Sequence, residues 1–169
     1  LSRVLQAIWE PEFKEFSFGF RPGRGAHDAL YWLAQVIRRR RTQWVVEADI
    51  KGFFDHLGHT HLMGFLRRRI ADPNVLRLIE RFLKAGVMED GAVEAGRDGA
   101  PQGARVSPGL ANIYLHYVLD TWFTDEFAPR CGGSASLIRY ADDFVGCFAR
   151  REDAEAFYEA LAERLRAFD

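Results

Sequence analysis

The feature that most constrains this chain is a pair of adjacent aspartates, Asp142 and Asp143, between two short apolar runs. This pattern predicts a β-hairpin over residues 137–148 that carries the two acids near its tip. Neighbouring carboxylates repel each other and raise one another's pKa. Because hard divalent ions such as Mg²⁺ take oxygen ligands and keep waters for substrate phosphates, the pair predicts a cation site.

Asp49 is the natural third carboxylate of such a site, since it ends an apolar run that predicts a buried strand over residues 44–50. If this strand lies beside the hairpin, the three acids meet at one edge of a sheet. Their oxygens, with the backbone carbonyl of Ile50, predict two bound Mg²⁺ ions, for which Mn²⁺ is a substitute. Two such ions, about 3.5–4 Å apart, form the clamp used in phosphoryl and nucleotidyl transfer.

The remaining patterns predict a mixed α+β fold. Helical spacing or capping signals predict helices over residues 25–41, 59–70, 73–85 and 107–127, and a last helix from Glu152. Asp90-Gly91 predicts a hairpin turn within residues 87–100. The positions predicted to face the core in the first and last of these helices are Ala29, Leu30, Leu33, Ala34 and Ile37, and Ala154, Phe157, Tyr158, Leu161, Leu165 and Phe168.

Composition sets the broad class. The chain has 169 residues, 48% of them hydrophobic, which is enough for one compact domain, and its net charge of −1 excludes a generally basic nucleic-acid binder. Its two cysteines form no disulfide framework, so a reducing cytoplasm is the expected location. No apolar run reaches the ~18 residues of a membrane span. The absence of an initiator Met and the end inside a helical pattern predict a part of a larger protein.

Four stretches, in this order, resemble the fingers and palm region of a reverse transcriptase, and most closely the group II intron-encoded class. They are Phe18-Gly19-Phe20-Arg21-Pro22-Gly23-Arg24 with residues 27–30, residues 46–55 around Asp49, Pro101-Gln102-Gly103 with residues 107–115, and Arg139-Tyr140-Ala141-Asp142-Asp143-Phe144-Val145. The resemblance implies partial fingers over residues 1–43 and a palm of antiparallel sheet backed by helices over residues 44–169.

The resemblance also implies roles for matching positions. Asp49, Asp142 and Asp143 would be the catalytic, metal-binding acids. The aromatic ring of Phe54 would select dNTPs by clashing with a ribose 2′-hydroxyl. The other expected nucleotide-binding residues are Lys51, Gln102 and Gly103, and the expected nucleic-acid contacts are Arg21, Arg24, Arg105 and Tyr140.

The implied activity is RNA-directed DNA polymerisation, with an RNA template, a DNA primer, dNTPs and intron RNA as partners and no membrane. Family members also carry an N-terminal basic segment and a thumb. We therefore expect residues 1–169 alone to bind metal but to polymerise weakly or not at all.

Several alternatives stay open at this point. The same fold can serve as a splicing maturase, chiefly an RNA-binding scaffold, or as a CRISPR- or defence-associated reverse transcriptase. An RNA-templated RNA polymerase is disfavoured by the bulky Phe54.

Three further features of the sequence do not settle a function. Arg105 and Gly109 depart from the family pattern. The arginine run at residues 38–41 is either a solvated helix end or an RNA contact. His56, His59 and His61 lack a fourth ligand for zinc.

Overall fold

A computed structural model of the chain describes residues 1–50, 52–54, 57–84, 87–89, 92–94 and 106–168. Six α-helices and five strands occur in these ranges. They are α1 (Ser2–Trp9), α2 (Ala26–Arg39), β1 (Trp44–Ala48), α3 (His59–Arg67), α4 (Pro73–Lys84), β2 (Val87–Glu89), β3 (Ala92–Glu94), α5 (Ser107–Leu115), β4 (Ala135–Tyr140), β5 (Asp143–Phe148) and α6 (Arg151–Arg166). The predicted α+β class is confirmed.

The main sheet has three antiparallel strands in the order β1-β5-β4. The β4–β5 hairpin is the one predicted around the acidic pair, and its last pair joins Tyr140 to Asp143. Strand β1 pairs with β5 along its length, from Trp44 opposite Phe148 to Ala48 opposite Phe144. The prediction of a buried first strand is wrong, because β1 is an edge strand of this sheet and Val45 is 54% exposed.

One face of the sheet forms the main core with α5 and α6. Leu137, Phe144 and Phe148 pack there with residues of these helices, among them the fully buried Phe157 of α6. Helix α5 lies at the centre of the core, and every residue from Leu110 to Leu115 is buried. This arrangement gives the hairpin a rigid support on one side.

Helix α2 covers the opposite face, where Ala29 and Val36 pack with Ile138 and Cys147 of the sheet. The prediction that Leu30, Ala34 and Ile37 also face the core is wrong. Ala34 is exposed, and Leu30 and Ile37 are 62% and 44% exposed. Leu30 and Ile37 each lie one residue, or about 100° of helix, from a buried position, and the sheet contacts only one stripe of the helix.

Tyr158 of α6 shows the same offset. It follows the buried Phe157 by one residue and is 67% exposed, so its predicted place in the core is also wrong. By contrast, Ala154 and Leu161 are buried as predicted.

The helix predicted over residues 107–127 is present but changes type. After α5 the chain continues through two π-helical segments, His116–Asp120 and Phe123–Phe127. Local π-helical turns widen the ring of each hydrogen bond and often occur at functional sites. Here the first segment carries a fully buried acid, Asp120.

The predicted start of α4 is present. Asp72 caps α4 as expected, its carboxylate accepting a 2.8 Å hydrogen bond from the backbone N–H of Asn74. Strands β2 and β3 pair antiparallel, while the predicted turn at residues 90–91 lies outside the described residues.

The sequence patterns did not predict helix α1. Within the described ranges, no helix is both long and apolar enough to cross a bilayer.

Candidate active site

The acidic pair lies where β4 turns into β5. Strand β4 ends at Tyr140 and β5 begins at Asp143, so that Ala141 and Asp142 form a two-residue turn. Tight hairpin loops of this length need a positive φ at their first central residue, and Ala141 has a φ of 58°. The turn leaves Asp142 half-buried and Asp143 exposed.

The register of the sheet brings Asp49 to the same end. Because Ala48 pairs with Phe144, the next residues in each direction are Asp49 and Asp143. Burial raises the pKa of Asp142, and the neighbouring charges of Asp143 and Asp49 raise it further, while Arg139 opposes the shift. The three acids therefore share one electrostatic environment at the rim of the sheet.

The chemistry of these donors fits hard divalent cations, because all three side chains offer carboxylate oxygens. Their grouping is looser than that of a closed metal site. Within the described parts of the chain, no three acidic, histidine or cysteine side chains cluster tightly enough to hold an ion. The sheet thus brings the predicted acids to one edge without drawing them around one point.

The turn after β1 places Ile50 and Phe54. The Ile50 carbonyl accepts a 3.1 Å hydrogen bond from the N–H of Phe53, and a carbonyl oxygen has two lone pairs. Gly52 adopts a φ of 66°, a conformation that glycine tolerates without strain. Phe53 is buried in the core, and the half-buried ring of Phe54 packs edge-on against it at 5.5 Å.

Arg21 occupies a place different from the one expected of a nucleic-acid contact. Its side chain is 3% exposed and forms an ion pair of 2.7 Å with Glu10. The same guanidinium donates to the carbonyls of Lys14 and Ser17, both at 2.8 Å. These internal bonds occupy the guanidinium donors that a template phosphate would need.

Arg24 and Tyr140 are more accessible. The guanidinium of Arg24 donates to the Glu15 carbonyl and lies 5.4 Å from the centre of the Phe18 ring. Tyr140 is 38% exposed, next to the acidic turn. Lys51, Gln102, Gly103 and Arg105 lie outside the described residues.

The arginine run at residues 38–41 lies at the surface of the protein. The arginines at positions 38–41 are all exposed, the first two in the last turn of α2. This position favours cations through the helix dipole.

Sequence reasoning missed a buried polar network directly behind the turn. Arg139 and Asp120 are both 0% exposed and form an ion pair of 2.6 Å. Asn112 and Ser17 also accept hydrogen bonds from the Arg139 guanidinium. The available signal was an arginine inside an otherwise apolar strand and an aspartate within an apolar helical stretch.

Comparison with known proteins defines the class. The family described as "Reverse transcriptase (RNA-dependent DNA polymerase)" matches residues 1–169, so the chain belongs to the reverse transcriptase family. Within it, the chain is 44% identical to the group II intron-encoded protein LtrA of Lactococcus lactis subsp. cremoris over 113 residues, 67% of this chain and 18% of that protein. The predicted resemblance to group II intron-encoded reverse transcriptases is confirmed.

Two further comparisons concern a curated relative and a solved structure. Protein YkfC of Escherichia coli is 34% identical over 191 aligned positions, which cover 96% of this chain and 49% of that protein. The structure of apo telomerase from Candida tropicalis superposes with a TM-score of 0.73 at 14% identity, over 98% of this chain and 37% of that one. At 14% identity, the similarity to telomerase shows the fold alone. This chain spans less than half the length of both curated relatives.

Proposed function

We propose that this chain carries the catalytic centre of an RNA-directed DNA polymerase of the group II intron type. The reaction transfers a nucleotidyl group from a dNTP to the 3′-hydroxyl of a primer, with RNA as template. The observation that carries the proposal is the convergence of Asp49, Asp142 and Asp143 at one end of the sheet in a reverse transcriptase-family chain.

Each acid has a role in the proposed site. The carboxylates of Asp49, Asp142 and Asp143, with the carbonyl oxygen of Ile50, would hold two Mg²⁺ ions. When bound, such ions lower the pKa of an attacking hydroxyl and neutralise charge on the departing pyrophosphate. The rigid hairpin fixes Asp142 and Asp143 relative to each other, which keeps the acids in place before substrate binds.

Phe54 is the proposed sugar gate. Its ring is held by Phe53, which is itself anchored in the core, and so it cannot easily turn away from a substrate above it. A rigid aromatic surface under the sugar would reject the 2′-hydroxyl of a ribonucleotide by steric overlap.

The direct test is primer extension on matched RNA and DNA templates with the full-length natural protein. We expect wild type to extend with dNTPs on RNA, and Asp142→Asn to reduce the rate by at least about a hundredfold, because it removes a negative charge from the metal-binding set. Asp125→Asn is the matched control, since Asp125 is 64% exposed and lies on the second π-helical segment. Unchanged extension by Asp142→Asn would contradict the proposal.

The same proteins separate the proposal from a maturase scaffold. A scaffold would bind intron RNA and support splicing equally in wild type and Asp142→Asn, with no extension by either. Template, primer and dNTPs are accordingly the proposed partners, with intron RNA as a further one, in the reducing cytoplasm suggested by two free cysteines.

A further inference from the structure

The guanidinium of Arg139 is completely enclosed, and every one of its N–H donors is used. Nε and Nη2 bind the two carboxylate oxygens of Asp120 at 2.8 and 2.6 Å. Nη2 also donates to the Ser17 hydroxyl, and Nη1 to the Asn112 side-chain oxygen, at 2.8 and 2.9 Å. An arginine has five such donors, so these four hydrogen bonds leave one more.

That fifth hydrogen bond reaches the acidic turn. Nη1 of Arg139 donates to the carbonyl of Ala141 at 2.8 Å, and this carbonyl belongs to the peptide that leads into Asp142. Ala141 has a positive φ, which a non-glycine residue adopts only when its surroundings hold it there. The Arg139 bond supplies one such restraint.

The segment before α2 supplies a second restraint. The backbone of Arg139 bonds to Phe16 and Phe18 at 2.8 and 2.9 Å, and Gly19 then lies directly against Ala141. The Asn112 amide donates to the Gly19 carbonyl at 2.7 Å, so the same asparagine joins Gly19 to Arg139. The turn is thereby held between this segment and the buried ion pair.

We propose that the Arg139–Asp120 pair is a positioning device that fixes the Ala141–Asp142 peptide and so sets the metal-binding geometry of Asp142 and Asp143. The inference rests on the proposed function, because it assigns a task to that site. Arg139 and Asp120 touch neither metal nor substrate; they act through the Ala141 carbonyl. The planar five-donor guanidinium is essential, since the three donors of a lysine cannot reproduce this set of bonds.

The test uses Arg139→Lys, which keeps the charge, beside Arg164→Lys as the control. Arg164 donates to the carbonyls of Val118 and Tyr117 on the same π-helical segment, not to the hairpin. Three quantities are measured on each protein: thermal stability, hydrogen exchange of the peptide spanning residues 138–145, and Mn²⁺ affinity by electron paramagnetic resonance titration. Removal of an outer group that orients metal ligands typically weakens metal affinity by about 10–100-fold.

We expect both variants to lose stability, but only Arg139→Lys to speed exchange at the turn and to weaken Mn²⁺ binding by about tenfold or more. If Arg139→Lys does not fold, Asp120→Asn carries the same test, because it breaks the ion pair that orients the guanidinium and keeps the shape of the side chain. Wild-type exchange and Mn²⁺ affinity in a folded variant would overturn the inference and reduce the pair to a purely structural role.

The outcomes also separate this inference from the proposed function. If the function is wrong, wild type and Asp142→Asn bind Mn²⁺ equally and neither extends a primer. If only the inference is wrong, Asp142→Asn weakens Mn²⁺ binding while Arg139→Lys does not.

Discussion

Gly19→Ala should displace the acidic turn from outside the buried network. A Cβ atom at Gly19 would lie 2.3 Å from the backbone nitrogen of Ala141 and 2.9 Å from its Cα. Both contacts are with main chain, so no flexible side chain can move aside. Relief requires a shift of roughly 1 Å in one of the two segments, and overpacking of this kind typically costs about 1–3 kcal/mol.

The effect on catalysis should exceed the effect on stability. A displacement of about 1 Å at a reacting centre can lower a rate by about a hundredfold, whereas about 1–3 kcal/mol leaves most domains folded at 25 °C. We would measure urea unfolding by circular dichroism and the rate of primer extension on RNA. The expected result is a folded protein with a lower unfolding midpoint and a rate about two orders of magnitude below wild type.

Gly64→Ala is the matched control. Gly64 lies in α3, and a Cβ there would meet nothing within 4 Å. It should raise stability by up to about 1 kcal/mol through helix propensity and leave the rate unchanged. Wild-type stability and wild-type rate in Gly19→Ala would refute the close packing of this segment against the turn.

Three further predictions follow from individual contacts. Phe54→Ala should increase incorporation of rNTPs relative to dNTPs in primer extension, and unchanged sugar selectivity would remove Phe54 from the gate. Burial raises the pKa of Cys131 and Cys147 to about 11, with the Asp153 charge adding to the shift at Cys131. At pH 8 the native thiols should therefore react with iodoacetamide about a hundredfold more slowly than in the urea-unfolded chain, and equal rates would contradict this. Asp72→Ala should lower the free energy of unfolding by about 1 kcal/mol through loss of the α4 cap, whereas no change in the urea midpoint would show that the cap contributes nothing.

The elements that sequence predicted best are those specified by local patterns. The hairpin around Asp142 and Asp143, the capped start of α4 and the helix after Ser107 all depend on residues close together in the chain. The sequence predicts that Asp49 approaches the pair only if its strand lies beside the hairpin. The structure shows that β1 does pair with β5 in the required register.

The features that escaped prediction depend on distant partners. Arg139 bonds to Ser17, which is 122 positions away, and Asn112 bonds to Gly19, which is 93 positions away. Sequence periodicity carries no information about contacts at such separations. The buried role of Arg21 was likewise hidden, because its partner Glu10 directly follows a helix that the sequence did not predict.

Errors in the buried faces have a simpler cause. Helical periodicity identifies an apolar side only to within about 100°, or one residue. Leu30, Ile37 and Tyr158 each fall one residue from a buried neighbour, and only the placement of the sheet decides which is covered. The π-helical turns after α5 shift the face further, and no composition signal marks them.

The most direct test of the central claim is to locate the ions themselves. A crystal of the full-length protein with primer, RNA template, an incoming dNTP analogue and Mn²⁺ would show the ions by anomalous scattering. The proposed metal site requires two Mn²⁺ peaks, each within coordination distance of carboxylate oxygens drawn from Asp49, Asp142 and Asp143. Ions bound to the nucleotide without contact to these three carboxylates would contradict it.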